Sequence, residues 1–190
     1  MEQKKRCWEN ITPLMEKYHD YEWGTPLHND KKLFEFLILD GAQAGLSWNT
    51  ILNKRENFRK ALDDFDYAKI SKYSEKKVEE LMQNSGIIRN RSKIQSFITN
   101  AQAFMKIQQE FGSFDEYLWK FVNGVPIQNN WHSWDEVPAK TPLSEQISKD
   151  LKKRGFKFVG PTIIYAFIQA VGMVNDHLVN CFRHAELSNQ

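Results

Sequence analysis

Residues 39–48 read LDGAQAGLSW. This segment places one carboxylate, Asp40, in a run that otherwise has the character of a buried helix, and it ends in a Gly-Leu-Ser-Trp break. An ionised carboxylate in such a position costs roughly several kcal/mol unless it is paired or hydrogen-bonded. Either a structural partner satisfies Asp40, or the protein keeps this side chain for a ligand.

Helical patterns extend from this segment in both directions, and proline and glycine separate them. Thr12-Pro13 predicts a short helix through Tyr18, Asn29 or Asp30 caps a second helix, and Ser47 begins a third. Further helices are predicted from Ser74 to Gly86, Asn90 to about Gln108, Ser113 to Gly124, Thr141 to Gly155, Pro161 onward, and Gly172 to Cys181. Residues 125–140 show no sustained period, and no strand alternation or internal repeat is present. The sequence predicts an all-α fold of about eight or nine helices, as a single domain over residues 1–190.

Composition narrows the class of protein. The 190 residues are 41% hydrophobic and 26% charged, which is ordinary for a globular domain. No window approaches 18 consecutive apolar residues, so we expect no membrane partner. The charged N-terminus lacks the apolar core of a signal peptide, which favours a cytoplasmic location, where a disulfide between Cys7 and Cys181 is not expected. A net charge of +2 means that any nucleic-acid binding must come from a local patch.

Two cysteines and two histidines form a candidate metal site. His177 and Cys181 are four residues apart, which would place them on one face of the predicted last helix, and Cys7 and His19 form a second pair. Thiolate and imidazole ligands together favour zinc. The pattern alone leaves open two inert buried thiols with two ordinary histidines, and His28 and His184 compete as ligands.

A basic stretch lies between two predicted helices at residues 152–162, KKRGFKFVGPT. Backbone N–H groups in a hairpin and at a helix N-terminus can face a phosphate, as in a helix-hairpin-helix element that binds DNA without reading its sequence. The candidate DNA-binding residues are Lys157, Phe158, Val159, Gly160 and Thr162. A basic connector between two packed helices explains the same pattern. Arg89, Arg91 and Lys93 resemble a second basic turn, for which we favour a solvated helix start.

Aromatic residues surround Asp40 in the sequence: Trp8, Tyr18, Trp23 and Trp48. Six tryptophans are many for a chain of this length. Aromatic side chains at helical spacing are more often core than ligand cage, so the pattern leaves both interpretations open.

Five motifs occur together and in a specific order. They are YHDYEWG at residues 18–24, QAGLSW at 43–48, GIIRNR at 86–91, LKKRGFKFVG at 151–160 and VNDH at 174–177. With them the chain resembles the DNA-3-methyladenine glycosylase I family of bacterial repair enzymes over roughly residues 6–184. The resemblance implies a helix-hairpin-helix DNA glycosylase fold, with the element itself at about residues 143–171. It also implies a structural Zn²⁺ that joins the N- and C-terminal segments through Cys7, His19, His177 and Cys181.

The resemblance also implies a base-binding pocket. Trp48 and Tyr18 fall where the family stacks the methylated base, and Trp23 falls where the family walls the pocket. Trp8 is a further candidate, although the family commonly has one residue between the first cysteine and this tryptophan, and Met15 stands where an aromatic residue is common.

Asp40 stands where the family usually has a glutamate that reads the base, and it is the catalytic candidate. Its carboxylate can accept a hydrogen bond from the exocyclic amine of adenine. Because aspartate is shorter by one carbon–carbon bond, roughly 1.5 Å, the base must sit closer or a water must bridge.

The activity implied by the resemblance is hydrolysis of the N-glycosidic bond of 3-methyladenine in double-stranded alkylated DNA by base flipping. A monomeric, monofunctional enzyme would release 3-methyladenine and leave an abasic site. Methylation at N3 makes the base cationic and a good leaving group, so no strong general acid is needed, and in this family Asp176 has no role as a base. The alternatives are a non-catalytic helix-hairpin-helix DNA-binding protein with a structural zinc, and an enzyme of this fold that excises another lesion.

Overall fold

The structure is a computed structural model that describes residues 4–188. Over these residues the α-helices are α1 (Pro13–Tyr21), α2 (Asp30–Gln43), α3 (Trp48–Ala61), α4 (Tyr67–Ile70), α5 (Glu75–Gln83), α6 (Arg91–Phe111), α7 (Phe114–Trp119), α8 (Pro142–Lys153), α9 (Pro161–Ala170) and α10 (Phe182–Ser188). Short 3₁₀ turns occupy Asp63–Phe65, Lys120–Val122 and Trp134–Glu136. Two-residue strands, β1 (Ile127–Gln128) and β2 (Val174–Asn175), pair in parallel. The prediction of a mainly helical fold is confirmed.

Local capping signals explain where the helices begin. The side chains of Thr12, Asn29 and Ser47 each accept a hydrogen bond from a backbone amide in the first turn of α1, α2 and α3. Thr141 and Ser144 form a reciprocal capping box at α8, and Pro142 occupies its first turn. The predicted starts of these helices are therefore confirmed.

One predicted helix end was wrong, and one short helix was not predicted. Helix α5 ends at Gln83, before Gly86, and a Cβ on Gly86 would lie 2.9 Å from Asn84 Oδ1. Gly86 therefore permits a close approach and does not mark the end of the helix. The short helix α4 was also missing from the prediction, because its four residues carry too little pattern to be recognised.

The segment after Gly172 is not a helix, contrary to the prediction of one through Cys181. Gly172 has φ +73°, and a Cβ there would lie 2.4 Å from the backbone nitrogen of Pro26. The chain then forms β2, with Val174 opposite Ile127, and helix α10 begins only after Cys181. Contacts with residues 25–26 and 127–128, distant in sequence, override the local pattern here.

Helix α2 lies at the centre of the core and packs against α3, α6, α7 and α9. Its residues from Leu33 to Ala42 are all buried, including Asp40. Helices α8 and α9 pack on each other, and the connection between them, residues 154–160, is called the hairpin below. Over the described residues, no helix combines the length and apolar character needed to cross a membrane.

Candidate active site and metal centre

A cavity of about 320 Å³, called the aromatic cavity below, opens beside α2. All five residues proposed from sequence for base binding line it. The complete lining is Trp8, Met15, Tyr18, Trp23, Asp40, Gln43, Trp48, Trp134, Ala166 and Gln169. The N-terminal segment, the faces of four helices (α1, α2, α3 and α9) and the loop before α8 thus converge on one space.

Asp40 lies in this cavity with no structural partner for one of its oxygens. Its side chain is 3% exposed, and among residues 4–188 no group donates a hydrogen bond to its buried Oδ2. Burial raises the pKa of Asp40 well above its ordinary value. The indole Nε1 of Trp48, also at this cavity, is likewise buried without a partner in the described chain. Because native proteins rarely leave buried polar groups unpaired, both atoms are suited to a ligand.

Aromatic rings form the walls around Asp40. The ring centroids of Tyr18 and Trp48 are 5.3 Å apart, and those of Trp8 and Tyr18 are 6.2 Å apart and nearly parallel. Trp23 continues this wall, with its ring centroid 5.0 Å from that of Trp8. Burial, with a contribution from the charge of Asp40, raises the pKa of Tyr18 well above its ordinary value, so its phenol is neutral. Such a set of aromatic faces favours a flat, cationic ring over a neutral one.

The structure brings Cys7, His19, His177 and Cys181 together into one buried Cys/His cluster, whose ligand atoms all lie within 4.8 Å of one another. Cys7 Sγ lies 3.3 Å from His177 Nδ1, and Cys181 Sγ lies 3.5 Å from His19 Nε2. Zinc bonds of about 2.3 Å to sulfur and 2.0–2.1 Å to nitrogen in a tetrahedron place these atoms about 3.5 Å apart. The donor set and its spacing therefore fit a tetrahedral metal ion.

The backbone conformation that brings His177 and Cys181 together differs from the prediction. Neither residue lies on a helix; both belong to the irregular segment between β2 and α10. The competing histidines lie elsewhere: His28 pairs with Asp115 at 3.0 Å, and His184 Nε2 donates to the carbonyl of Asn129 at 2.8 Å.

Outer hydrogen bonds orient both histidines of the Cys/His cluster. His19 Nδ1 donates to Asp20 at 2.8 Å, and His177 Nε2 donates to the backbone carbonyl of Trp23 at 3.0 Å. These bonds leave the other ring nitrogen of each histidine unprotonated and directed at the sulfur atoms. The hydrogen bond between the two thiols lowers the pKa of Cys181 and raises the pKa of Cys7, so the two sulfur atoms share one proton.

The Cys/His cluster and the aromatic cavity share their backbone. Cys7 precedes Trp8, Tyr18 precedes His19, and His177 binds the carbonyl of Trp23. Three aromatic walls of the cavity are thus each attached directly to a residue of the cluster.

The hairpin between α8 and α9 is fixed to the core by two polar contacts. Asn100 accepts from the amide of Lys157 at 2.8 Å and donates to its carbonyl at 3.0 Å, and Ser148 donates to the carbonyl of Val159 at 2.6 Å. Lys157 and Thr162 are exposed, and Phe158 and Gly160 are partly so. Val159 is 2% exposed, so only its backbone is available to DNA.

The hairpin also touches the helix that carries Asp40. Phe158 adopts φ +53°, a left-handed conformation that is uncommon for a side chain of its size. A Cβ on Gly41 would lie 3.4 Å from the Cβ of Phe158, so glycine lets the hairpin approach α2 beside Asp40.

The interpretation of the second basic turn as solvated was wrong for Lys93. Its ammonium group is buried and donates to the carbonyls of Ala42 and Ala44, at 2.8 and 2.7 Å, which cap the C-terminus of α2. Burial lowers the pKa of Lys93. Arg91 pairs with Glu75 and Glu79.

Asp176 is fully engaged by its surroundings. Its two oxygens accept from Asn129, Trp131, Tyr165 and Gln169 at distances of 2.5 to 2.8 Å. A carboxylate with four donors is poorly placed to activate a water. These hydrogen bonds instead hold in place the segment that contains His177.

Sequence reasoning missed four residues of the aromatic cavity: Gln43, Trp134, Ala166 and Gln169. Gln43 follows Asp40 by three positions on the same helix, so its place was open to inference from the helical repeat. Trp134 lies in a segment without periodicity, and Ala166 and Gln169 lie on α9, so only the tertiary fold brings them to the cavity.

Comparisons with known proteins identify the family of this chain. The methyladenine glycosylase family matches residues 8–184. DNA-3-methyladenine glycosylase 1 of Escherichia coli (strain K12) is 49% identical over 178 residues, which are 93% of this chain and 95% of that protein. A crystal structure of 3-methyladenine DNA glycosylase I matches with a TM-score of 0.91 and 50% identity, over 94% of this chain and 98% of its own. Another such glycosylase, solved in complex with 3-methyladenine, matches with a TM-score of 0.89 and 36% identity, over 91% and 93% of the two chains. The chain belongs to the methyladenine glycosylase family.

Proposed function

We propose that this protein is a monofunctional DNA repair glycosylase that hydrolyses the N-glycosidic bond of 3-methyladenine in double-stranded alkylated DNA and leaves an abasic site. The observation that carries this proposal is the buried, unpartnered Oδ2 of Asp40 in a cavity walled by aromatic rings. Relatives that share the family are named for this activity.

The chemistry follows from what the cavity offers. A base must leave the duplex stack to reach it, at a cost of a few kcal/mol. The faces of Trp48 and Tyr18 then favour a methylated, cationic adenine over a neutral one. Asp40 accepts from the exocyclic amine, and the positive charge beside it restores the ionised carboxylate that burial disfavours. Because the cationic base departs as a neutral molecule, the site needs no strong proton donor.

Chromatography of the bases released from methylated DNA tests the activity. The wild-type protein should release 3-methyladenine, and Asp40→Asn should release it at least about tenfold more slowly, since a hydrogen bond to a charged group contributes about 1.5–3 kcal/mol. Unchanged release by Asp40→Asn would exclude Asp40 as the residue that reads the base. Binding of methylated DNA without any base release would instead favour a non-catalytic DNA-binding protein.

We further propose that the Cys/His cluster holds one structural Zn²⁺. The ion would join residues 7–19 to residues 177–181, and through them fix the aromatic walls. Metal analysis of protein purified without chelator should find about one zinc per chain. Cys181→Ser should lose it, whereas His184→Ala, outside the cluster, should retain it. Protein of full stability that contains no zinc would contradict this proposal.

The helix-hairpin-helix interpretation predicts a phosphate contact at Lys157. Each phosphate contact releases counterions, so Lys157→Ala should weaken DNA binding and reduce its dependence on salt by about one unit of slope. Lys76→Ala on α5, also an exposed lysine, serves as the control and should change neither quantity. Equal salt dependence in both variants would place the DNA contact elsewhere.

We also expect a monomer in the cytoplasm. Cys7 and Cys181 meet as metal-type ligands and not as a disulfide, which suits a reducing compartment. Light scattering should give the mass of one chain, and cell fractionation should place the protein with cytoplasmic markers.

A further inference from the structure

We propose that Trp134 is the outer wall of the aromatic cavity and a specificity-determining residue for the flipped base. The inference rests on the proposed function and adds to it a residue from the loop before α8. The kind of ligand it would select is a flat, cationic, N-alkylated purine.

The position of Trp134 supports a contact with a ligand. It lines the same cavity as Asp40 and Trp48. Its ring centroid lies 6.0 Å from that of Trp23, so it extends the aromatic wall formed by Trp8 and Trp23 toward solvent. Trp134 remains 37% exposed, whereas Trp23 is 6% exposed. A large aromatic ring that is only partly covered, at the mouth of such a cavity, has a face available to the base.

The polar atom of Trp134 is already engaged. Its Nε1 donates to the backbone carbonyl of Cys7 at 2.8 Å. The indole N–H is therefore not available to read the base, and the contribution of this residue must come from its ring. The same bond ties the loop to the residue that precedes Trp8 and that supplies one sulfur of the Cys/His cluster.

Two physical effects make the ring selective. An aromatic face attracts a cation, an interaction that strengthens when water is excluded. A ring at the mouth of the cavity also limits the access of water to the buried Asp40 carboxyl. Both effects favour a methylated cation over neutral adenine, and both act on the bound base before and during bond cleavage.

The test measures the affinity for free 3-methyladenine by titration calorimetry in zinc-loaded protein. Trp134→Ala should weaken binding about tenfold, equivalent to about 1.4 kcal/mol, within the range of a base stacked on an aromatic side chain. Trp134→Phe, which keeps a ring and loses the N–H, should stay within about threefold of wild type. In turnover on methylated DNA, the variant should have a higher KM, whereas its kcat should stay within about twofold of wild type. The reason is that the ring binds the ground state and the transition state alike.

Trp131→Phe is the matched control. Trp131 lies on the same loop and donates its indole N–H to Asp176, but it does not line the aromatic cavity. This variant should bind 3-methyladenine with wild-type affinity. If Trp134→Ala loses its metal, Trp134→Leu takes its place, since leucine retains apolar volume without an aromatic face.

The outcomes separate the two proposals. If wild-type protein releases no 3-methyladenine, the proposed function fails. If wild type is active and the metal-loaded Trp134→Ala or Trp134→Leu variant binds the base as tightly as wild type, the inference about Trp134 is overturned. An equal loss of affinity in Trp134→Phe would overturn it as well, because the N–H tether and not the ring would then be responsible.

Discussion

Asp40 and Asp176 are both buried carboxyl groups, but they differ in how many hydrogen bonds they accept. They are 3% and 1% exposed, respectively. Asp176 accepts four hydrogen bonds, whereas within residues 4–188 the buried Oδ2 of Asp40 accepts none. Burial is thus nearly equal, and the number of donors is what distinguishes them.

The difference shows which carboxylate serves the fold and which serves the ligand. A saturated carboxylate stabilises the loop around it, because each donor would otherwise be buried without a partner. An unsaturated carboxylate reduces the stability of the free protein and keeps its acceptor for an incoming group. Asp40 should therefore lower the stability of the free protein and be necessary for ligand binding. Asp176 should raise the stability and have no direct part in ligand binding.

The largest effect is expected from Asp176→Asn. In asparagine an NH₂ group replaces one carboxylate oxygen. Its N–H bonds then face some of the four groups that now donate hydrogen bonds to Asp176. Since each buried polar group left unpaired costs about 1–3 kcal/mol, the free energy of unfolding should fall by at least about 3 kcal/mol. Urea denaturation measures it, and metal analysis alongside shows whether the neighbouring His177 remains in place. Wild-type stability in this variant would mean that the network contributes little.

Asp40→Asn should change the free energy of unfolding in the opposite direction from Asp176→Asn. Replacing a carboxyl group whose ionisation burial disfavours should raise the free energy of unfolding by about 1–3 kcal/mol, even though base release falls. Glu35→Gln is the control, because Glu35 is also buried but accepts from Arg55 at 2.7 Å and Arg59 at 2.6 Å. Breaking that pair should destabilise by about 3–5 kcal/mol. If both substitutions destabilise alike, Asp40 has a structural partner and the contrast between the two aspartates is lost.

The pH dependence of stability provides a third test. Because burial raises the pKa of Asp40 in the folded state, the native protein holds this proton more tightly than the unfolded chain. Below the unfolded pKa of about 3.9, Asp40 is protonated in both states and does not make the stability depend on pH. As the pH rises above that value, the free energy of unfolding should fall relative to Asp40→Asn, until the native carboxyl ionises as well. Urea melts of both proteins from pH 4 to pH 8 measure the difference, and a constant difference would contradict the raised pKa.

Local chemistry made much of the fold predictable. Thr12, Asn29, Ser47 and Thr141 each cap a helix through a hydrogen bond made within three residues, so the sequence alone contains that information. The segment from Gly172 to Cys181 was not predictable in this way. Its conformation depends on pairing with residues 127–128, and no local pattern encodes that contact.

Parts of the candidate site were predictable where the residue type is unusual for the surrounding sequence. Asp40 was identifiable because a charge interrupts an apolar helix, and the Cys/His cluster was identifiable from residue types. The structure brings the four predicted residues together, but the helical geometry proposed for His177 and Cys181 was wrong. Lys93 and Trp134 were missed, since their partners, the end of α2 and the carbonyl of Cys7, are remote in sequence.

The smallest effect is expected from Trp131→Phe, which removes one of the four donors to Asp176 and leaves the ring. Asn129, Tyr165 and Gln169 still saturate most of the carboxylate. One hydrogen bond to a charged group contributes about 1.5–3 kcal/mol, and with three donors remaining the loss should lie at the lower end, about 1.5 kcal/mol. Urea denaturation at neutral pH measures it. A loss as large as that of Asp176→Asn would show that the network depends on this single donor, whereas no loss would show that the carboxylate tolerates an empty position, as Asp40 does.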